Sequence, residues 1–266
     1  MKILFSIYLV LYTLMAVAQK SDPLIKSKEL INNEDYDDAL EILNTSFANG
    51  DTSTEIYLQR GECYMRTSDF EKALKDINYV MQRDSANARA WYLRGFVWGK
   101  SDQNELAIKS FTRSIAIDPS LPYSYNGRGC VYILTGEYSK ALEDFNRAIM
   151  LDSSKPDAYY NRGLIYARQE ENILAIRDFT MFLKIKPEVS VAYFDRGVLY
   201  SNSKQYKSAI KDFSKAIKYY NSEESFCEPY AEFQIYQARG NCYQYLGNEK
   251  KANRDFQIAK EFGYKP

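Results

Sequence analysis

From residue 54 onward, apolar residues recur about every 3.6 positions, the spacing of one face of a helix. Within each stretch of 34 residues, one such run covers the first fourteen positions and a second covers positions 17–30. Polar turns such as Thr67-Ser68-Asp69 and Thr135-Gly136-Glu137 separate the two runs. The pattern predicts an all-α chain of amphipathic helix pairs. Each pair carries an apolar face that only another pair can cover, so the pairs must stack.

The pairs repeat in register. Arg-Gly occurs at Arg60-Gly61, Arg94-Gly95, Arg128-Gly129, Arg162-Gly163, Arg196-Gly197 and Arg239-Gly240; the first five are 34 residues apart and the last step is 43. With that Gly as position 8, position 4 reads Tyr57, Trp91, Tyr125, Tyr159, Tyr193 and Tyr236, and position 11 reads Tyr64, Trp98, Tyr132, Tyr166, Tyr200 and Tyr243. Position 20 is always Ala (Ala73, Ala107, Ala141, Ala175, Ala209, Ala252). Position 24 is Ile77, then Phe111, Phe145, Phe179, Phe213 and Phe256, and Pro119 and Pro187 fall at position 32. Small Gly and Ala would let the two helices of a pair approach closely, with the aromatic residues filling the space around the crossing.

These marks resemble the tetratricopeptide repeat (TPR): aromatic, Gly and Tyr on a first helix, then Ala-x3-Phe, then Pro. The resemblance implies a right-handed TPR α-solenoid of about seven helix-turn-helix repeats; the residues ahead of it are read, on their own pattern, as a cleavable signal peptide. The expected division is a signal peptide at 1–18, a degenerate first repeat at 19–53, and repeats at 54–87, 88–121, 122–155, 156–189 and 190–223. An acidic insert at 224–232 and a last repeat at 233–266 complete it. In the degenerate unit Ser27 replaces the glycine, while Ala39 and Leu43 keep positions 20 and 24. Position 7 departs from the family, with Arg in place of its usual Leu.

Position 23 offers that arginine a partner. It reads Asp76, Asp144, Asp178, Asp212 and Asp255, with Ser110 the exception. Arg60, Arg94, Arg128, Arg162, Arg196 and Arg239 are therefore read as structural, pairing with these aspartates along the stack. Arg94, facing Ser110, is the copy expected to be unpaired.

Function in this family resides on the concave surface, lined by first-helix positions 2, 5, 9, 12 and 13. Its middle would be apolar (Tyr92, Phe96, Tyr123, Tyr160, Leu164, Phe194), flanked by Arg89, Lys100, Arg168 and Asn126. Position 5 is never Lys, so the carboxylate clamp of TPR co-chaperones is not matched. The expected function is a non-catalytic protein–protein interaction scaffold that docks a peptide presenting aliphatic anchors and some acid. Part of the stripe would instead be inter-repeat core if position 9 is half buried. The alternative is a structural or assembly subunit of an envelope or secretion complex, binding through its outer surface and C-terminal end.

Composition narrows this further. There is no histidine, which removes imidazole as a base or ligand. Lys+Arg and Asp+Glu balance at 35 each, which disfavours a nucleic-acid partner. No nucleotide loop, nucleophile elbow or Cys-x-x-Cys occurs, so no enzyme activity, metal or cofactor is expected. Met1-Lys2, the apolar run Ile3–Val17 and Ala16-Val17-Ala18 read as a secretory leader cut before Gln19, placing the chain in a periplasmic or extracellular compartment, without membrane insertion. The four cysteines are read as buried free thiols, Cys227 with Cys242 being the one conceivable disulfide.

Overall fold

The computed structural model describes residues 22–220 and 231–263. The leader at 1–18, Cys227 and nearly all of the acidic insert lie outside the described residues. No helix among the described residues is long and apolar enough to cross a membrane.

Fourteen helices and no strands make up the described residues, in the all-α TPR architecture. They fall into two compact units, one up to Val131 and one from Tyr132 on. The first unit holds the pairs α1 (Pro23–Asn32) with α2 (Tyr36–Ala48), α3 (Thr54–Arg66) with α4 (Phe70–Arg83), and α5 (Ala88–Lys100) with α6 (Asn104–Ile117). It also contains most of α7 (Pro122–Leu134). In the second, α8 (Tyr138–Leu151) is followed by the pairs α9 (Pro156–Arg168) with α10 (Asn172–Ile185), α11 (Ser190–Asn202) with α12 (Tyr206–Tyr219), and α13 (Glu232–Tyr245) with α14 (Glu249–Glu261).

Local chemistry sets the helix ends. Asn87 accepts from the Ala90 N–H and Asp69 from that of Lys72, capping α5 and α4, and Pro156 opens α9. The residue at position 15, just past the first helix, is left-handed in every pair: φ is 64° at Ser68, 57° at Asp102, 62° at Glu170 and 59° at Lys204, with Gly136 and Gly247 at the same place in theirs. This reversal turns the chain from one helix of a pair into the next.

The glycine of position 8 makes room for a ring. A Cβ at Gly197 would lie 2.8 Å from the Phe213 ring, at Gly95 2.8 Å from Phe111, and at Gly240 2.6 Å from Phe256. The close approach is thus between Gly and position 24, rather than between Gly and the alanine of position 20. Phe111, Phe145, Phe179 and Phe213 are at most 1% exposed and form the centre of the core. In the degenerate unit Ser27 is also fully buried, donating to Gln59 Oε1 at 2.6 Å.

Four of the position-7 arginines are held by the position-23 aspartate of their own repeat. Nε and Nη2 of Arg60, Arg162, Arg196 and Arg239 hold the two oxygens of Asp76, Asp178, Asp212 and Asp255 at 2.6–2.8 Å. The remaining guanidinium nitrogen reaches backwards. Nη1 of Arg60, Arg128, Arg162, Arg196 and Arg239 donates to Asn44, Thr112, Asn146, Thr180 and Ser214, all at position 25 of the preceding repeat. Each of these arginines therefore ties its own pair to the one before it.

Cys63 and Cys242 are buried free thiols, and Cys130 is half buried. Cys242 Sγ lies 3.4 Å from Ser201 Oγ.

Candidate functional site

In the first unit the predicted interaction residues come from α5 and α7. Tyr92 and Tyr123 meet with ring centroids 4.5 Å apart, and Tyr92 also leans on Phe111 at 6.1 Å. Arg66 and Lys100 both lie 5.7 Å from the Phe96 ring centroid. Tyr123 is 37% exposed and Lys100 is exposed, whereas Tyr92 and Phe96 are half buried. Asn126 is half buried, and its Oδ1 has no hydrogen-bond partner. That oxygen is itself buried, so it is not presented to an incoming backbone N–H.

Arg89 is engaged within the repeat array. Nη1 donates to Glu55 at 2.9 Å and Nη2 to Glu62 at 2.5 Å. Burial works against its charge, but the Glu62 and Glu55 carboxylates outweigh it and hold the guanidinium pKa above its ordinary value. Gln59 extends the network from Glu55 back to Ser27. Two carboxylates against one guanidinium leave the cluster without positive charge to steer an acidic ligand. In this unit Lys100 and Arg66 are the exposed cations beside Phe96. Glu55 and Glu62 stand at positions 2 and 9 of α3 one repeat upstream; the sequence carried that signal as acids on the same stripe.

In the second unit the residues come from α9 and α11. Tyr160 packs on Phe179 (5.5 Å) and Phe182 (5.1 Å), and its hydroxyl donates to Asp195 at 2.8 Å. Phe194 leans on Phe213 at 5.8 Å. Position 5 is thus anchored on the position-24 phenylalanine of its own repeat in both units. Leu164, at 39% exposure, and Arg168 one turn further along α9 are the accessible members, with Arg168 lying 5.1 Å over the Tyr138 ring. The stripe therefore has two layers: Tyr92, Tyr160 and Phe194 brace the repeat, while Tyr123, Leu164, Lys100 and Arg168 face outward.

At the far end of the second unit, two repeat positions that are apolar elsewhere become polar. In the other repeats position 21 is Leu74, Ile108, Leu142, Ile176 and Ile210, and position 28 is Met81, Ile115, Ile149, Leu183 and Ile217. Ile210 and Ile217 pack into a cluster with Ile235 and Cys242 of α13. On α14 the same positions are Asn253 and Lys260, both exposed. The insert expected to help bind there lies outside the described residues.

The comparisons agree with this architecture. The family description "TPR repeat" matches residues 129–170, and "Tetratricopeptide repeat" matches 88–121 and 190–223. No curated protein sequence matches the chain. Among solved structures, PilF of Pseudomonas aeruginosa is similar with a TM-score of 0.68 at 15% identity, covering 79% of this chain and 91% of its own. YrrB, described as a TPR protein with an unusual peptide-binding site, has a TM-score of 0.61 at 18% identity over 70% of this chain and 92% of its own. MamA has a TM-score of 0.54 at 26% identity over 60% and 93%. On the repeated helix pairs, the matched repeat families and these folds together, the chain is a tetratricopeptide repeat protein.

Proposed function

We propose that this chain is an exported, non-catalytic protein-interaction scaffold that docks a partner peptide against the first helices of its middle repeats. The observation that carries the reading is the pairing of exposed apolar side chains with exposed cations at first-helix positions. In the first unit the exposed Lys100 lies 5.7 Å from the half-buried Phe96 ring and Tyr123 is exposed at the start of α7, while in the second the exposed Leu164 stands one turn before the exposed Arg168. Such patches suit a segment that presents aliphatic side chains and a carboxylate, held by burial at the centre and steered by charge at the rim. The peptide-binding site described for YrrB supports the same use of the fold. The leader-like residues 1–18 support export, and with it a partner outside the cytoplasm.

The test is capture from the native envelope fraction with wild type and with Leu164→Asp/Arg168→Glu. Both substituted side chains are exposed, so helical content and melting should not change. A protein retained by wild type and lost by the folded variant supports the reading. Equal retention by both overturns it for this patch. Sequencing the N-terminus of the exported form should find Gln19; an intact Met1 would overturn export by cleavage.

A further inference from the structure

The repeat at 88–121 departs from its neighbours at three linked places. It has Ser110 where five repeats have Asp, and it holds the chain's only two tryptophans, Trp91 and Trp98, where the others have Tyr. All three surround one side chain, Arg94. Trp91 lies beneath the guanidinium at 5.2 Å, and Trp98 is one turn along the same face of α5.

Arg94 is bonded unlike its counterparts. Its Nε is buried without a hydrogen-bond partner, and Nη1 has only Met81 Sδ at 3.8 Å. Ser110 does not replace the missing acid, because its hydroxyl donates back to Leu106 O at 2.7 Å. Asn78, the position-25 residue of the preceding repeat, is exposed and leaves Nη1 to the sulfur. The Trp98 indole N–H is also buried without an acceptor, whereas that of Trp91 is bonded to Ser85 O. Two buried donors without acceptors therefore lie one helical turn apart, and one of them belongs to a cation. In four sibling repeats a carboxylate takes Nε and Nη2 together.

We propose that Arg94, with Ser110, Trp91 and Trp98 around it, is a binding site for a small monoanion of carboxylate type. The anion takes the place that Asp76, Asp178, Asp212 and Asp255 fill in their own repeats. Its charge answers the guanidinium, its oxygens accept from Nε and Nη2, and the unpartnered Trp98 indole N–H one turn along offers a further donor. The carboxylate comes either from a free small acid or from an aspartate or glutamate side chain of a partner.

Both tryptophans stand at the site, so their emission reports on it. Bromide, a heavy monoanion that quenches indole, is titrated into the whole protein at constant ionic strength with fluoride as the make-up salt. A saturable loss of emission, reversed by formate, is expected for wild type. Ser110→Asp supplies the carboxylate seen in the sibling repeats, and Arg94→Gln removes the charge. Each should weaken the saturable component by about tenfold or more, as loss of a charge-assisted hydrogen bond implies. Quenching linear in bromide, with the same slope in wild type and both variants, overturns the proposal, and so does saturable quenching that both variants retain. A blocked Gly-Asp-Gly peptide, with its Asn counterpart as control, separates the sources. Reversal by formate alone assigns a free acid, and reversal by the Asp peptide but not the Asn one assigns a partner's side chain.

Discussion

Arg196 donates through Nη1 to Thr180 of the preceding repeat at 2.9 Å while its Nε and Nη2 hold Asp212 of its own. One side chain thus closes a pair and fastens it to its neighbour. Asp212 is only 3% exposed, so removing the guanidinium leaves a buried carboxylate unanswered. Arg196→Met should cost about 3–5 kcal/mol, while Arg196→Met/Asp212→Leu should recover most of it. Thr180→Val, at the exposed end of the same link, should cost under about 1 kcal/mol. Urea melts followed by circular dichroism measure all three.

Gly197 and Gly61 occupy the same repeat position against different neighbours. A methyl at Gly197 meets the Phe213 ring at 2.8 Å, whereas at Gly61 it meets Ile77 Cγ1 at 3.4 Å. Gly197→Ala should lose about 1–3 kcal/mol to overpacking. Gly61→Ala, with a flexible neighbour and the helix-forming gain of roughly 1 kcal/mol for Ala over Gly, should be neutral or stabilising. Thermal melts of the two variants should move apart.

Lys204 is exposed and holds φ at 59°, a conformation that opposes an L side chain. Gly136 and Gly247 already fill the equivalent turn in two repeats. Lys204→Gly should therefore raise stability by about 1 kcal/mol, read as a higher denaturation midpoint with unchanged slope.

Burial, with help from the charge of Glu62, pushes the Cys63 thiol from 9.0 up to about 12. The folded chain keeps a proton that the unfolded chain releases near pH 9. This group's contribution is complete below pH 9 and is lost as pH rises from 9.0 toward about 12. Burial raises Tyr57 and Tyr123 in the same sense, so the alkaline decline has several sources. Cys63→Ala should flatten its share, visible as a smaller fall in melting temperature between pH 9 and 11 than wild type shows.

Much of this architecture was legible in the residues because each repeat states the same rule again. The helix pairs, the buried phenylalanines and four of the Arg–Asp pairs follow from positions 4, 7, 8, 11, 20, 23 and 24 alone. The candidate site was legible as a stripe of residues but not as an accessible surface. Periodicity places Tyr160 on the right face of α9, yet only packing reveals that its ring rests on Phe179 and its hydroxyl on Asp195. Arg89 looked like a steering charge because its acids, Glu55 and Glu62, sit 34 and 27 residues earlier. The backward link to position 25 escaped notice because Asn, Thr and Ser share an acceptor oxygen and nothing else. Identity counts letters, whereas the guanidinium reads only where the oxygen is.

Asn253 and Lys260 change what the outermost helix presents. An array that adds one pair to the next by the same contact has no intrinsic reason to stop, and a copy arriving at an apolar face would extend it as readily as the chain itself did. Covering α14 would strip water from an amide and an ammonium where the preceding junction covers Ile210 and Ile217. Repeating the same contact on α14 would therefore be uphill at these two positions, where the preceding pair made it downhill.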